Sequence, residues 1–226
     1  MFDDLRNRFD FFLRNNLRFS RKNFIEKNKD LIERNIQENL YTQDLLERFF
    51  DKKYNQDLKI LDIGSKNWFY AKGEYNFFNS FAQDFTLNGV EFDAYRLYTN
   101  FYNRFEVAKY YTKELKNTNY IADNLLNICD QYDYIIWFLP FVLKEPHKMW
   151  GLPEKYFYPQ KLLAHAYNLL KKGGQMLIIN QGEIEANTQK FLFEKLNIEY
   201  KFLGEIKSKH FEYNNKRYGY LVKKTI

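Results

Sequence analysis

The sequence predicts an α/β fold: a three-layer sandwich around a seven-stranded, mostly parallel sheet that ends in an antiparallel hairpin. Short apolar runs alternate with stretches of helical periodicity from residue 57 onward, which is typical of a parallel sheet covered by helices on both faces. Two closely spaced runs end the chain, at about residues 198–206 and 217–224. Asn214 and Asn215 between them are typical turn residues, so this last pair of strands can be antiparallel.

A helical extension is predicted before the sheet. Apolar residues recur at three- and four-residue spacing over residues 2–17 and again over residues 25–40, which is the pattern of one helix face. Thr42 is suited to cap a further helical turn after it. We therefore expect a helical extension over residues 1–56 and an α/β domain over residues 57–226.

Strands and helices alternate in the predicted domain. The strands before the terminal pair are expected at residues 58–63, 89–92, 120–122, 134–138 and 175–180. The helices are expected around residues 77–81, 95–115, 159–170 and 184–196. The third of these helices is expected to end at the run Lys171-Lys172-Gly173-Gly174, because glycine commonly follows a helix C-terminus.

The composition narrows the class of protein. The 226 residues are 45% hydrophobic and 28% charged, which is a globular composition with enough apolar residues for a core. The only cysteine, Cys129, excludes a disulfide within the chain and a cysteine-based metal cluster. The histidines have no partners at ligand spacing, so no metal is expected.

The sequence also indicates a cytoplasmic protein without a membrane partner. Acidic residues stand near the start, where a signal peptide has a basic flank. The longest apolar run, residues 135–143, is interrupted by a proline and is too short to cross a bilayer.

The charge pattern bears on the choice of partner. The net charge of +6 gives some attraction to polyanions. Basic residues near both ends of the chain are interleaved with acidic ones such as Asp3, Asp10, Glu194 and Glu205. A surface that follows a phosphate backbone more naturally forms a continuous basic stripe. Nucleic acid is therefore a partner that the sequence allows but does not favour.

The first strand ends in Leu61-Asp62-Ile63-Gly64-Ser65, an acid followed by a glycine. This motif and the order of elements from residue 58 to residue 226 resemble the class I S-adenosylmethionine-dependent methyltransferases, whose fold is Rossmann-like. The resemblance implies that S-adenosylmethionine is the cofactor. It implies that Asp62 lies near the amino-acid end of the cofactor, often through water, and that Gly64 and Ser65 let the backbone approach it.

The loop after this motif departs from the family pattern. Lys66 and Trp68 occupy positions in a stretch where the family commonly has glycine at alternate positions. Two interpretations follow. Either the loop takes another conformation and Lys66 or Asn67 contacts the cofactor carboxylate, or the cofactor site has been lost and the domain only binds something else.

Acidic residues after the next two strands resemble the family's other cofactor contacts. Glu91 lies where the family's acid accepts hydrogen bonds from both ribose hydroxyls, a task that suits the two oxygens of a carboxylate. Asp93 could take the same role. Asp123 and Asn124 lie where the family binds the adenine amino group, although Asp123 is equally suited to cap the following turn.

The fourth strand ends in aromatic residues. The resemblance places Trp137 and Phe138 beside the transferred methyl group. Pro140 and Phe141 match part of a motif found in relatives that methylate adenine or glutamine, but the polar residue of that motif is missing. The resemblance therefore does not identify the acceptor.

The acceptor pocket is expected at the same edge of the sheet. Residues 144–158 form a long connection that could cover the site, with Trp150 and Tyr156 as candidate substrate contacts. Asn180 and Gln181 at the end of the fifth strand are further candidates. His147 is a candidate general base or a bystander.

The residues and the resemblance together predict a methyltransferase whose unidentified acceptor is a small molecule or a protein side chain. The alternative is a non-catalytic binding or scaffolding module with the same fold. A nicotinamide oxidoreductase and a nucleoside triphosphatase fit poorly, because the chain lacks the glycine-rich loops that seat their phosphates.

Overall fold

The computed structural model describes residues 29–54, 57–98 and 101–225. Its strands are β1 (Leu58–Ile63), β2 (Phe85–Val90), β3 (Thr118–Ile121), β4 (Tyr132–Phe138), β5 (Leu170–Gln181), β6 (Lys201–Ile206) and β7 (Arg217–Lys223). Its helices are α1 (Lys29–Phe49), α2 (Ala71–Asn79), α3 (Arg104–Thr112), α4 (Lys144–Met149), α5 (Pro159–Leu169) and α6 (Gly182–Lys195). The helix predicted over residues 2–17 and the boundary at residue 56 lie outside the described residues.

The strands form one sheet in the order β3-β2-β1-β4-β5-β7-β6. Neighbours among β1 to β5 are parallel, and β7 runs antiparallel to both β5 and β6. The predicted mostly parallel sheet with an antiparallel pair at its end is therefore confirmed.

Helices cover both faces of the sheet because alternate residues of a buried strand point in opposite directions. Ile60 of β1 packs with Leu45 of α1 and Phe77 of α2 in one core. Its neighbour Leu61 belongs to the other core, which includes Leu163 of α5 and residues of α6. The result is the three-layer arrangement that the apolar runs predict.

Two helix predictions need correction. Thr42 caps nothing, since it lies buried inside the continuous helix α1. The helix predicted over residues 95–115 begins only at α3. Asn103 precedes α3 and accepts a 2.8 Å hydrogen bond from the Glu106 amide, while the Glu106 carboxylate accepts one from the Asn103 amide. This reciprocal pair fixes the helix start.

The helix predicted over residues 159–170 ends close to the predicted position, at Leu169, but the prediction for residues 171–174 themselves needs correction. These residues belong to β5, because α5 ends at Leu169 and the backbone is already extended at Leu170. The Gly173 amide donates to the Lys224 carbonyl at 2.7 Å, and the Lys224 amide donates to the Gly174 carbonyl at 3.0 Å. Pairing with the distant end of the chain therefore extends the strand through a glycine pair.

Candidate cofactor and acceptor site

A cavity of about 820 Å³ opens at the carboxyl ends of the parallel strands. Each of these strands contributes to its wall: Gly64 follows β1, Glu91 follows β2, Asp123 lies beyond β3, Leu139 follows β4, and Gln181 ends β5. This edge is where open α/β sheets bind their ligands. The volume falls within the range of small-molecule and cofactor sites.

The loop after β1 adopts an unusual backbone. Gly64, Lys66 and Trp68 have φ angles of 71°, 56° and 45°, all in the left-handed region. The Gly64 amide donates to the Val90 carbonyl at 2.9 Å, and a Cβ added to Gly64 would meet no atom within 4 Å. The loop thus leaves open space beside Gly64, and Lys66 and Asn67 line the cavity.

Trp68 is a core residue. Its side chain is fully buried, and its indole N–H donates a 2.9 Å hydrogen bond to the Glu74 carboxyl group. Its ring atoms lie 2.9 Å from the position of a Cβ on Gly89 in β2. The glycine that makes room for Trp68 therefore lies in the neighbouring strand. In the sequence it is an isolated glycine in a predicted strand, which does not indicate the residue that packs against it.

Asp62 lies beneath the site and does not line the cavity. Its Oδ2 accepts a 3.0 Å hydrogen bond from the Tyr70 hydroxyl, while its buried Oδ1 has no partner among the described residues. Burial raises the pKa of Asp62, and the Tyr70 hydrogen bond acts in the opposite direction. Ser65 is also fully buried behind the wall, and its hydroxyl is unpaired within the described part of the chain.

The Glu91 carboxylate connects the loop after β1 to the segment after β2 by hydrogen bonds. Its Oε2 accepts from the Lys66 amide at 2.8 Å, and its Oε1 accepts from the Asp93 amide at 2.7 Å and the Arg104 guanidinium at 3.2 Å. Asp93 instead forms an ion pair with Arg96 and lies 3.5 Å from Arg104. The buried Arg104 is a site residue that the sequence analysis missed, because nothing in its local pattern marks it.

Asp123 and Asn124 line the cavity after β3. Asp123 accepts from the Asn124 amide at 2.6 Å and from the Asn127 side-chain amide at 2.7 Å. Asn124 accepts from the Leu126 amide at 3.0 Å and donates to the Tyr158 hydroxyl at 3.1 Å. Asn124, not Asp123, therefore caps the following turn, while Asp123 accepts from the side chain of Asn127 in that turn and also faces the cavity.

An aromatic wall closes the cavity beyond β4. The predicted residues that form it are Trp137, Phe138, Pro140, Phe141, Trp150 and Tyr156. The Trp150 ring lies 4.9 Å from the Lys66 ammonium and 5.4 Å from the Arg104 guanidinium. The Tyr156 ring lies 4.7 Å from Phe92. The segment between β4 and α5 is thus held against the loops that follow β1 and β2.

His147 lines the cavity from α4. Its side chain is buried, with ring centroids 5.7 Å from Phe141 and 5.3 Å from Phe157. Burial lowers the pKa of this imidazole. Its Nδ1 has no hydrogen-bond partner among the described residues. Burial thus favours the neutral form of His147, and its Nδ1 is available to a ligand.

The far end of the cavity lies between α1, α6 and β7. Its wall includes Gln181, Glu185, Tyr213 and Arg217. The residues contributed by α1 are Arg34, Glu38, Tyr41 and Thr42. The helix before the sheet therefore forms part of the site wall, and the sequence analysis named no residue from this end except Gln181.

Three predicted site residues do not line the cavity: Asp62, Ser65 and Asn180. Asn180 is fully buried in β5, and both polar atoms of its side chain are unpaired within the described ranges. The other predicted residues line one continuous cavity. Over the described part of the chain, no group of three or more His, Cys, Asp or Glu side chains could hold a metal ion, and no helix is long and apolar enough to cross a membrane.

Solved structures share this architecture. A SAM-dependent methyltransferase from Aquifex aeolicus superimposes with a TM-score of 0.58 at 12% identity, covering 85% of this chain and 96% of that one. Precorrin-6y C5,15-methyltransferase from Geobacter metallireducens has a TM-score of 0.53 at 13% identity, covering 83% and 87%. No protein-family model matches the sequence, and no curated protein is significantly similar to it. The chain has the Rossmann-like fold of the class I S-adenosylmethionine-dependent methyltransferases.

Proposed function

We propose that the protein is an S-adenosylmethionine-dependent methyltransferase whose acceptor is a small molecule or a protein side chain. The observation that carries the proposal is the junction of Gly64, Lys66 and Glu91 at one edge of the sheet. It combines an open backbone position with a buried carboxylate inside a cavity of about 820 Å³.

The residues present fit the cofactor. The space beside Gly64 lets a ligand approach the backbone, and Asp62, two residues earlier in the chain, has an unpaired Oδ1 among the described residues. Lys66 and Asn67 would hold the amino-acid end of the cofactor. Glu91 would accept from a ribose hydroxyl, because a carboxylate has about four lone-pair sites and its present donors use three of them.

Asp123 and Asn124 would contact the adenine, and Trp137 and Phe138 would lie beside the reacting group. Bound S-adenosylmethionine supplies a methyl group activated by its sulfonium. The chain then has to align the acceptor and exclude water, and such positioning accounts for a large part of many rate enhancements. His147 would accept a proton from an acceptor that loses one on methylation.

A closed aromatic cavity supports a small acceptor or a single side chain more than nucleic acid. Trp150, Tyr156 and residues of α1 all contribute to its wall. A nucleotide within a polymer would have to leave its stack to reach such a cavity.

One observation favours the alternative, a non-catalytic binding module. Glu91 already accepts hydrogen bonds from Lys66, Asp93 and Arg104, so its carboxylate could serve only to hold the loops together. A direct binding experiment separates the two functions.

Calorimetric titration with S-adenosylhomocysteine, with NAD as the comparison ligand, tests the proposal. We expect saturable binding of S-adenosylhomocysteine alone, and loss of this binding in Gly64→Val, whose side chain would fill the open space. Gly204→Val is the matched control, since Gly204 also has a positive φ of 77° and open space around it but lies in β6, outside the cavity wall. If S-adenosylhomocysteine does not bind to the folded wild-type protein, the methyltransferase function is refuted and the non-catalytic binding module is favoured.

A further inference from the structure

Arg217 begins β7 and lines the far end of the cavity. Its buried Nε has no hydrogen-bond partner, and its guanidinium forms no salt bridge, with any residue that the structure describes. Its closest aromatic neighbour is the Tyr213 ring, 4.2 Å from the guanidinium carbon. Arg217 as a residue is half-buried, and a cation with a buried, unpaired donor and no hydrogen-bonded counter-charge is unfavourable unless a ligand provides one.

The neighbours of Arg217 complete a small polar pocket. Tyr41 is buried on α1 with its hydroxyl unpaired among the described residues, and its ring meets Tyr213 edge-on at 5.2 Å. Glu185 also lines this end, but one of its oxygens already accepts from the Gln181 amide at 2.9 Å. The pocket thus offers two unused donors, one guanidinium and one phenol, beside aromatic surface.

We infer that Arg217 binds a carboxylate of the methyl acceptor, an inference that rests on the proposed methyltransferase function. A planar guanidinium matches the two oxygens of a carboxylate. The flanking rings of Tyr41 and Tyr213 suit an apolar body next to that carboxylate. The acceptor class is therefore a small carboxylic acid with an aromatic or aliphatic body.

Charge in the same pocket favours a carboxylate over a phosphate. Glu38 and Glu185 line this end together with Arg217. Arg34, the other arginine of this region, is already paired with Glu38 at 2.8 Å. Because Arg34 offsets the charge of Glu38, the charges left at this end are the Glu185 carboxylate and the Arg217 guanidinium. Glu185 would repel a dianion more strongly than a monoanion, and a monoanion is enough to balance the guanidinium.

Fluorine NMR of the full chain with 4-fluorobenzoate, 4-fluorobenzamide and 4-fluorophenyl phosphate tests the inference. We expect the benzoate to bind about tenfold more tightly than the benzamide, since a hydrogen bond to a charged group has roughly that value. Equal binding of benzoate and benzamide to the wild-type protein would overturn the inference without any variant. Tighter binding of the phosphate would overturn the choice of a carboxylate.

Variants then assign the preference to one side chain. Arg217→Gln should remove the preference for benzoate, and Arg217→Lys should keep part of it. Arg48→Gln is the matched control for loss of charge, because Arg48 lies on α1 outside the cavity wall and pairs with Asp44. A preference that survives in folded Arg217→Gln, or disappears equally in Arg48→Gln, would contradict the role of Arg217.

The two proposals can fail separately. The benzoate measurement is made with and without S-adenosylhomocysteine, whose own binding is measured by calorimetry. An Arg217-dependent preference for benzoate without cofactor binding would refute the methyltransferase function and support the carboxylate site. Cofactor binding without a preference for benzoate would support the methyltransferase function and refute the carboxylate site.

Discussion

The backbone amide of Lys66 donates a 2.8 Å hydrogen bond to Oε2 of Glu91. This contact joins the loop after β1 to the first residue after β2. Lys66 holds a left-handed backbone conformation there, with φ at 56°, which is unusual for a residue other than glycine. One carboxylate thus stabilises the loop and faces the cavity, so this loop is supported although Lys66 and Trp68, not glycines, hold two of its left-handed positions.

Glu91 and Asp93 are the two candidates for the acid that would bind the ribose in the proposed cofactor site, and substitution separates them. We expect Glu91→Ala to weaken S-adenosylhomocysteine binding by about 1–3 kcal/mol, because charge-assisted hydrogen bonds to the ribose and the tie to Lys66 are lost together. Asp93→Ala should have a smaller effect, since Asp93 is engaged with Arg96. Calorimetry checks both variants, and unchanged affinity in folded Glu91→Ala would remove this residue from the site.

Gly89 is required by the ring of Trp68. A Cβ at position 89 would stand 2.9 Å from atoms of that ring, so we expect Gly89→Ala to lower the free energy of unfolding by about 1–3 kcal/mol, as overpacked cores do. Urea denaturation measures the change.

A double-mutant cycle shows whether the ring is the cause. In a Trp68→Ala background the contact is absent, and Gly89→Ala should then have little further effect. If the two substitutions are additive, the strand needs glycine at position 89 for a reason other than the tryptophan.

The alternation of strands and helices could be predicted from the sequence because strands buried on both faces leave continuous apolar runs. Leu58–Ile63 is such a run, and its bounds agree with the structure. The segment at residues 171–174 could not be assigned in this way. Its extended conformation depends on pairing with Lys224, about fifty residues away in sequence, and local propensity indicates a helix end instead.

Most residues that we propose for the cofactor could be predicted to meet at one edge of the sheet because they follow successive strands. Arg104 and Arg217 were not, since each lies in or beside an element whose own pattern gives no sign of a ligand. Tyr41 belongs to α1, and its place in the cavity wall depends on how that helix packs. These three residues meet the cavity only because of the tertiary fold, so local sequence patterns could not identify them.

Glu74 makes the stability of the fold depend on pH. It is fully buried, and burial raises the pKa of its carboxyl group well above its usual value, with the buried Asp62 acting in the same direction. A carboxyl group whose pKa is higher in the folded than in the unfolded state loses stability as pH rises from its unfolded pKa through its folded pKa. Stability should therefore decrease as pH rises above about 4.5, the ordinary pKa of a glutamate, until the raised folded-state pKa of Glu74 has been passed.

Glu74→Gln should remove much of this decrease, because glutamine keeps the acceptor for the Trp68 indole but does not ionise. We expect the variant to gain stability relative to the wild-type protein as pH rises, in urea midpoints measured across that interval. Glu114→Gln is the control, since the Glu114 side chain is 84% exposed. A parallel pH profile for Glu74→Gln and the wild-type protein would show that the folded and unfolded pKa values of Glu74 are alike.

The contact between α1 and α2 depends on Gly73. The Gly73 amide donates a 2.6 Å hydrogen bond to the Asn39 side chain, and a Cβ at Gly73 would stand 2.2 Å from the Asn39 carbonyl oxygen. Asn39 also donates to the Phe69 carbonyl at 3.2 Å. Alanine at position 73 would therefore have to displace the backbone of α1, the helix that lines one side of the cavity.

Gly73→Ala tests this packing because two effects oppose each other. Helix propensity alone favours alanine over glycine by about 1 kcal/mol inside α2, whereas the clash should separate α1 from α2 and accelerate amide exchange in α1. We expect the effect of the clash to be larger than the effect of helix propensity. Amide exchange around Asn39 should then be faster, and 4-fluorobenzoate should bind more weakly at the cavity end lined by Tyr41. Asn39→Ala, which removes the hydrogen bonds without a clash, should give a smaller effect of the same sign. If Gly73→Ala is more stable than the wild-type protein and amide exchange in α1 is unchanged, then α1 does not pack on α2 in solution. In that case α1 would not line the cavity either.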